Sequence, residues 1–184
     1  MRNWGKGEDH RYAAWRERYG SAYWWVSLFQ VFWLQGALAL VVSLPILAAG
    51  VGETPSSLGA LDRLGAAVWV VGLAFESIGD EQLRRFKRDP ANRGRVMDEG
   101  LWRYTRHPNY FGDAVAWWGI GLIGLATRLG WIALVGPMVM TFLLVSVSGV
   151  AMLEKTIAER RPGYADYVRR TSAFVPLPPN RAAG

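Results

Sequence analysis

The sequence predicts an all-α, polytopic membrane protein with four transmembrane helices, both termini in the cytoplasm, and short interfacial helices beside them. Two observations carry this expectation. Apolar residues make up 51% of the 184 and are gathered into four blocks, although mean hydropathy over the whole chain is near zero. Each block approaches the ~20 residues that cross ~30 Å of hydrocarbon at 1.5 Å per residue. The second observation is charge. Nineteen of the 21 lysines and arginines fall in the three polar segments that four spans would leave on one side of a bilayer, and only Arg63 and Arg128 fall in the other two. That sorting is the positive-inside pattern. A water-soluble helical bundle has no reason to produce it.

Residues 1–24 form a cytoplasmic interfacial segment at the start of a single membrane domain covering 1–184. Tyr12, Trp15, Tyr19 and Tyr23 recur at spacings of three and four, which puts one aromatic face on a helix. Arg11, Arg16 and Arg18 can then reach lipid phosphates, although the same face would serve equally as packing for the rest of the protein. The first span, 25–49, carries Gln30 and Gln35, whose amides belong against protein or a cavity rather than lipid. Its Pro45 leaves a carbonyl unpaired and kinks the outer end. The second span, 60–79, continues as a cytoplasmic helix with Glu76, Asp80 and Arg84 on one face; Pro90 ends it, and Asn92 to Gly94 reads as a turn. The third and fourth spans, 109–126 and 131–153, are joined by a tight outer turn and so lie antiparallel. Gly119, Gly121 and Gly124 in one, with Ser146, Ser148 and Gly149 in the other, permit close approach. Residues 154–184 are a cytoplasmic tail with a break at Pro162, a short helix bearing Tyr164 and Tyr167, and a proline-rich end.

Composition narrows the chemistry. There is no cysteine, and His10 and His107 are the only imidazoles, so disulfides, thiolate nucleophiles and structural metal sites are not expected. The net charge of +6 flanks membrane segments, where anionic headgroups attract it, and does not point to nucleic acid. A cleaved signal peptide is not expected, because the polar region before Trp24 is long and the first apolar block exceeds an h-region.

One stretch stands out. "TRHPNYFGD", Thr105 to Asp113, opens the third span. Pro108 suits the first turn of a helix, so the helix should start at Pro108 or Asn109, with free backbone N–H groups and the positive end of its dipole beside Arg106 and His107. Such an end suits an anion, typically phosphate. Asn109 and Asp113 fall one turn apart on one face with Tyr110 between them, an arrangement able to hold the ribose and amide groups of a nucleotide-like cofactor. Each residue also has a ligand-free use: an acid near a helix start is favoured by the dipole, an arginine at a membrane boundary binds lipid phosphate, and His107 can cap a neighbour. Glu76, Asp80, Asp113 and Glu154 gather at the cytoplasmic ends of three spans, where ionisable groups are costly unless partnered.

Over nearly the whole chain, from "RNWGKGEDHRY" through "FKRDPANRGRVMDEGLWRYTRHPNYFGD" to "RRPGYADYVRRTSAFVPLPP", the sequence resembles the steroid 5-alpha-reductase C-terminal family, in particular its bacterial branch of uncharacterised membrane proteins. "RHPNYFGD" also matches the pattern Arg-His-x-Asn-Tyr-x-Gly-Asp of sterol C14 and C7 reductases. Isoprenylcysteine and phospholipid methyltransferases share part of it. The resemblance implies an integral protein of the bacterial inner membrane, with a cytoplasm-facing cofactor pocket and a hydrophobic lipid substrate entering from the bilayer. It implies NADPH as cofactor, with Lys87, Trp102, Asn109, Tyr110, Asp113, Glu154, Tyr164 and Tyr167 as contacts. Leu83 stands where a sterol reductase has a second basic residue, and Arg84 is its nearest substitute. Relatives have further spans before the segment at Arg2, from which catalytic groups come, so no catalytic residue is assigned. The expected activity is reduction of a carbon–carbon double bond in a steroid-like or isoprenoid lipid. The alternatives are an S-adenosylmethionine-dependent lipid or isoprenyl methyltransferase and a non-catalytic membrane protein or inactive fragment. Eight basic residues between Arg84 and Arg106 favour a phosphate-bearing cofactor over a sulfonium, which would want carboxylates and aromatic faces.

Overall fold

The computed structural model describes residues 10–51, 57–128, 130–147, 150 and 161–180. Every regular element among them is helical; an isolated parallel bridge joins Thr105 to Ser172. The chain divides into two compact units, Met1–Val41 and Val42–Gly184.

The first unit is built from α1 (His10–Tyr19), a 3₁₀ turn at Gly20–Ala22, α2 (Tyr23–Ser27), a π-helical stretch at Leu28–Trp33, and α3 (Leu34–Val42). These follow one another with little interruption, giving a helical run from Tyr12 to Val42 of 31 residues. The Arg16 guanidinium lies 5.1 Å from the centre of the Tyr23 ring, and Trp24 stacks on Trp25 at 4.3 Å. Phe29, Phe32 and Trp33 are about two-thirds exposed (61, 68 and 67%). A contiguous apolar surface of this kind is not left open to water by a monomeric soluble protein.

The second unit holds α4 (Leu44–Val51), α5 (Ala60–Arg88), α6 (Pro108–Leu125), α7 (Gly130–Ala133), α8 (Val135–Phe142) with a π-helical continuation at Leu143–Val147, and α9 (Tyr164–Arg170). The helix breaks at Ser43, whose carbonyl then accepts from Ile46 and Leu47 as α4 starts with Pro45 in its first turn. α5 ends at Arg88, because Pro90 cannot continue it; Asp89 Oδ1 instead accepts from the Ala91 N–H at 2.9 Å.

The centre of this unit is the α5–α6 pair. Gly65, Gly72 and Gly79 recur every seven residues along one face of α5, opposite Gly119, Ala116 and Gly112, and Pro108, of α6. A Cβ on Gly65 would stand 2.6 Å from the Gly119 carbonyl oxygen, and one on Gly119 would stand 2.5 Å from the Trp69 nitrogen. The two backbones are therefore in direct contact, the small-residue packing that lets helices approach closely in lipid. On the other side of α6, Gly121 admits Pro137 and Gly124 admits Ala133 and Pro45. The Trp118 indole N–H donates to Thr141 Oγ1 at 3.1 Å, linking α6 to α8.

Among the described residues two helices, not the expected four, are each long and apolar enough by themselves to cross a membrane: Tyr12–Val42 and Gly130–Val147. Only 6% and 28% of their apolar windows are buried, whereas the core helix of a soluble protein is mostly buried. The expected second span falls short because Asp62, Arg63, Glu76, Asp80 and Glu81 interrupt the apolar run of α5. The third, α6, is as long as Gly130–Val147 at 18 residues but less apolar, because its first turns carry Pro108, Asn109, Tyr110 and Asp113. The outer loop at 52–56 and the end of the expected fourth span lie outside the described residues.

Candidate functional site

Two polar segments close over the ends of α5 and α6. The first is 89–107. Its Gly100 has φ +60°, and a Cβ there would meet the Gln82 side chain, whose Oε1 accepts from the Leu101 N–H at 3.0 Å. This seats a 3₁₀ turn, Gly100–Arg103, on α5 and buries Trp102, whose indole N–H donates to the Gly79 carbonyl at 3.0 Å. The second segment is 161–180. Its α9 begins at Gly163, which at φ +82° takes a left-handed conformation that a side chain would oppose.

The two segments are zipped together by backbone groups. Arg106 N–H donates to Ser172 O at 2.9 Å, Leu177 N–H to Tyr104 O at 3.0 Å, and the fully buried Thr105 hydroxyl to Phe174 O at 2.8 Å. Tyr167 adds a donation from its hydroxyl to Trp102 O at 2.5 Å. The Arg161 guanidinium donates to the Arg95 carbonyl. Arg170 reaches Asp98 at 3.4 Å, a half-exposed pair that contributes little by itself.

Between them lies a cavity of about 420 Å³, within the ~300–1,000 Å³ usual for small-molecule sites. Lys87, Trp102, Arg106, His107, Asn109, Tyr110, Tyr164 and Tyr167 line it, together with Leu83, Phe86, Val96, Met97 and Arg161. Eight residues singled out from the sequence thus meet around one space. Asp113 does not line it. Glu154 lies outside the described residues.

Each lining group has a definite environment. Arg106 is buried, and its Nη1 donates to the Val168 carbonyl at 3.1 Å and the Thr171 carbonyl at 2.5 Å, so it closes the end of α9 as well as lining the cavity. A cation there is also favoured by the helix dipole. His107 precedes α6 without a side-chain cap, and its ring stacks on Tyr110 at 5.4 Å and 4°. Asn109 Nδ2 donates to Asp80 Oδ1 at 3.0 Å, which fixes the amide's orientation because a carboxylate can only accept. Its Oδ1 is buried without a partner, and such an atom costs about 1–3 kcal/mol until a donor satisfies it.

Outside the apolar helices, Arg84 and Arg85 donate to Glu81 and hold its carboxyl down to about 2. Among the described residues no group of three or more acids and histidines is placed to hold a metal.

Phe86, Met97 and Arg161 were not singled out by sequence reasoning. Phe86 precedes Lys87 in "FKRDP", and Arg161 precedes "PGY", so adjacency to marked residues was the available signal.

Residues 1–171 match a family described as "Protein of unknown function (DUF1295)". The chain belongs to the DUF1295 family. An uncharacterized protein of Schizosaccharomyces pombe is 24% identical over 180 residues, covering 84% of this chain and 48% of its own length. The 3-oxo-5-alpha-steroid 4-dehydrogenase 1 of Bos taurus is 30% identical over 67 residues, covering 36% of this chain and 26% of its own length. The chain thus spans under half the length of these curated relatives. No solved structure matches. The DUF1295 chain is distantly related to a steroid-reductase-like superfamily and has through it a general link to oxidoreductases and lipid-modifying proteins.

Proposed function

We propose that this protein is a membrane-embedded, NADPH-dependent reductase of a carbon–carbon double bond in a steroid-like or isoprenoid lipid, with its cofactor in the cavity between the 89–107 and 161–180 segments. The observation that carries the reading is the donor set of that cavity. Lys87, Arg106 and Arg161 line it and no carboxylate is among its described lining residues, which suits phosphates and withholds the carboxylate that a sulfonium would want beside the aromatic faces. The residues present also fit the rest of a dinucleotide. Phe86, Trp102, Tyr110, Tyr164 and Tyr167 offer ring faces and edges, and the unpartnered Asn109 Oδ1 awaits an N–H donor of the kind a carboxamide or an adenine amino group carries.

When bound, the reduced nicotinamide supplies a hydride. The chain's own residues bind and orient: Lys87 and Arg161 contribute charge, Trp102 forms a wall fixed by its bond to Gly79, and Asp80 keeps the Asn109 oxygen available by occupying the amide nitrogen.

The same reading has α5 and α6 in the bilayer as a locked pair, giving four crossings with the cavity on the cytoplasmic side of an inner membrane. Supporting this, Leu64, Val70 and Val71 of α5 are each more than half exposed, and α5 and α6 are about 44 and 27 Å long at 1.5 Å per residue.

The test is binding of purified, detergent-solubilised protein to NADPH, NADH and S-adenosylmethionine in parallel. Preferential binding of S-adenosylmethionine sinks the reductase reading, and no binding to any favours a non-catalytic role. Asn109→Ala is expected to weaken dinucleotide binding by about 10-fold while leaving the thermal midpoint within about 2 °C of the parent. Parent-like affinity in that variant would mean that the cofactor lies elsewhere.

A further inference from the structure

A second cavity, of about 450 Å³, adjoins the first and shares Phe86, Lys87 and Arg161 with it. It is walled by the end of α5 and the turn that follows. That turn is held by side chains: Asn92 Nδ2 donates to the Phe86 carbonyl at 3.1 Å, and Asn92 Oδ1 accepts from Arg95 at 3.0 Å. Gly94, at φ +82°, completes the reversal.

The charge in this second space is lopsided. Lys87, Arg88, Arg93 and Arg161 line it, against the single carboxylate of Asp89, which is engaged with the Ala91 N–H. The nearby helix end contributes about half a negative charge. The remainder is a surplus of roughly +2.5, more than is needed to complement a helix terminus. A phosphate monoester carries about −1.5 to −2 and so matches the surplus. Among the described residues Lys87, Arg88 and Arg93 have no ion-pair partner. Arg84 is differently placed, since Glu81 takes both its Nε and Nη2 at 2.5 Å and it lines neither cavity.

We propose that the second cavity is a phosphate-monoester subsite continuous with the first, in which Arg88 and Arg93 hold the ribose phosphate that distinguishes NADPH from NADH. The proposal rests on the reading of the first cavity as a dinucleotide site. It assigns the extra phosphate to residues after the end of α5 rather than to Leu83 and Arg84.

The experiment measures dissociation constants for NADPH and NADH by tryptophan fluorescence on the full chain in detergent. The parent is expected to prefer NADPH by about 10- to 100-fold, the range for charge-assisted hydrogen bonds to one phosphate. The double variant Arg88→Gln/Arg93→Gln should lose that preference while keeping its NADH affinity, which also serves as its folding control. Arg84→Gln should retain the preference. A double variant that still prefers NADPH, or that weakens both nucleotides equally, overturns the subsite. NADH binding to the parent without preference for NADPH overturns the subsite alone, whereas failure of both nucleotides overturns the dinucleotide reading and the subsite with it. Repeating the titration in nanodiscs with and without phosphatidate separates the sources: abolition of the preference by phosphatidate assigns the cavity to a lipid headgroup and overturns the nucleotide assignment.

Discussion

Replacing Gly72 by alanine sets two effects of known size against each other. Alanine favours a helix interior by about 1 kcal/mol over glycine, so at an open position the change would stabilise. At Gly72 the added Cβ would overlap the Ala116 nitrogen, stand 2.6 Å from the Gly112 carbonyl oxygen and 2.8 Å from the Ala116 Cα. All three are backbone atoms, so no rotamer can relieve the clash and the helices must separate by about 1 Å to reach ordinary contact at ~3.5–4 Å. That separation runs along the whole seam, because Gly65 and Gly119 are equally close to the opposite backbone. Overpacking of this kind costs about 1–3 kcal/mol and more where nothing can shift. Because all three contacts are with backbone, the cost falls in the upper part of that range, about 2–3 kcal/mol; with the propensity gain subtracted, we expect a net loss of about 1–2 kcal/mol, or about 2–8 °C in the unfolding midpoint for a chain of this size. Intrinsic tryptophan fluorescence during heating in detergent measures it, with Gly36→Ala as control, since a Cβ there meets nothing within 4 Å. A Gly72→Ala midpoint at or above the parent's would refute the close-contact seam.

Two further outcomes follow from local geometry. Thr105→Val removes the buried hydroxyl that donates to Phe174 and leaves that carbonyl without this donor. A loss of about 1–3 kcal/mol is expected, seen as faster protease cleavage within 171–180, and parent-like cleavage would show that the strap is held by other bonds. Glu81 tests the charge cluster on the exposed end of α5. Its carboxyl is held down to about 2 by Arg84 and Arg85, so their interaction is fully present above the ordinary glutamate range and is lost as pH falls toward 2. A carboxyl carbon-13 titration should show that low midpoint in the parent and a rise in Arg84→Gln; an ordinary midpoint in the parent would contradict the pairing.

The helical class and the ends of α5 and α6 were legible because prolines fix them: Pro90 stops one helix and Pro108 starts the next. Hydrophobic blocks and charge sorting also marked the apolar helices, but they did not separate helices that are apolar outright from helices that carry acids inside their apolar stretch. Asp62 and Glu76 are plain in the sequence, but the length of an apolar block does not register what they cost in lipid. The glycines show a similar division. Gly121 and Gly124 meet Pro137, Ala133 and Pro45 on the side facing α7 and α8, as small residues between the third and fourth spans were expected to. Gly119 instead faces α5. The seven-residue recurrence of Gly65, Gly72 and Gly79 was present in the sequence as a signal for that seam, but a recurrence names no partner until Gly112 and Gly119 are set beside it. The cavity residues were marked by motif, whereas the commitment of Arg106 to carbonyls 62 and 65 residues away depends on a chain reversal that no local pattern encodes.

The seam and the cavity meet at one residue. Gly79 is the last glycine of the α5 series; a Cβ on it would stand 3.1 Å from Pro108 and 3.3 Å from the Asn109 nitrogen, and its carbonyl accepts the Trp102 indole. The register of α5 on α6 therefore sets where "HPNY" begins relative to Trp102. A one-residue slip would rotate α6 by about 100° and carry Asn109 away from Asp80, leaving its amide free to turn. Backbone contact along the seam is thus what keeps the Asn109 oxygen fixed. The glycines along the helix pair and the polar cluster that opens α6 are parts of one positioning device, the first supplying the register and the second the polar groups it places.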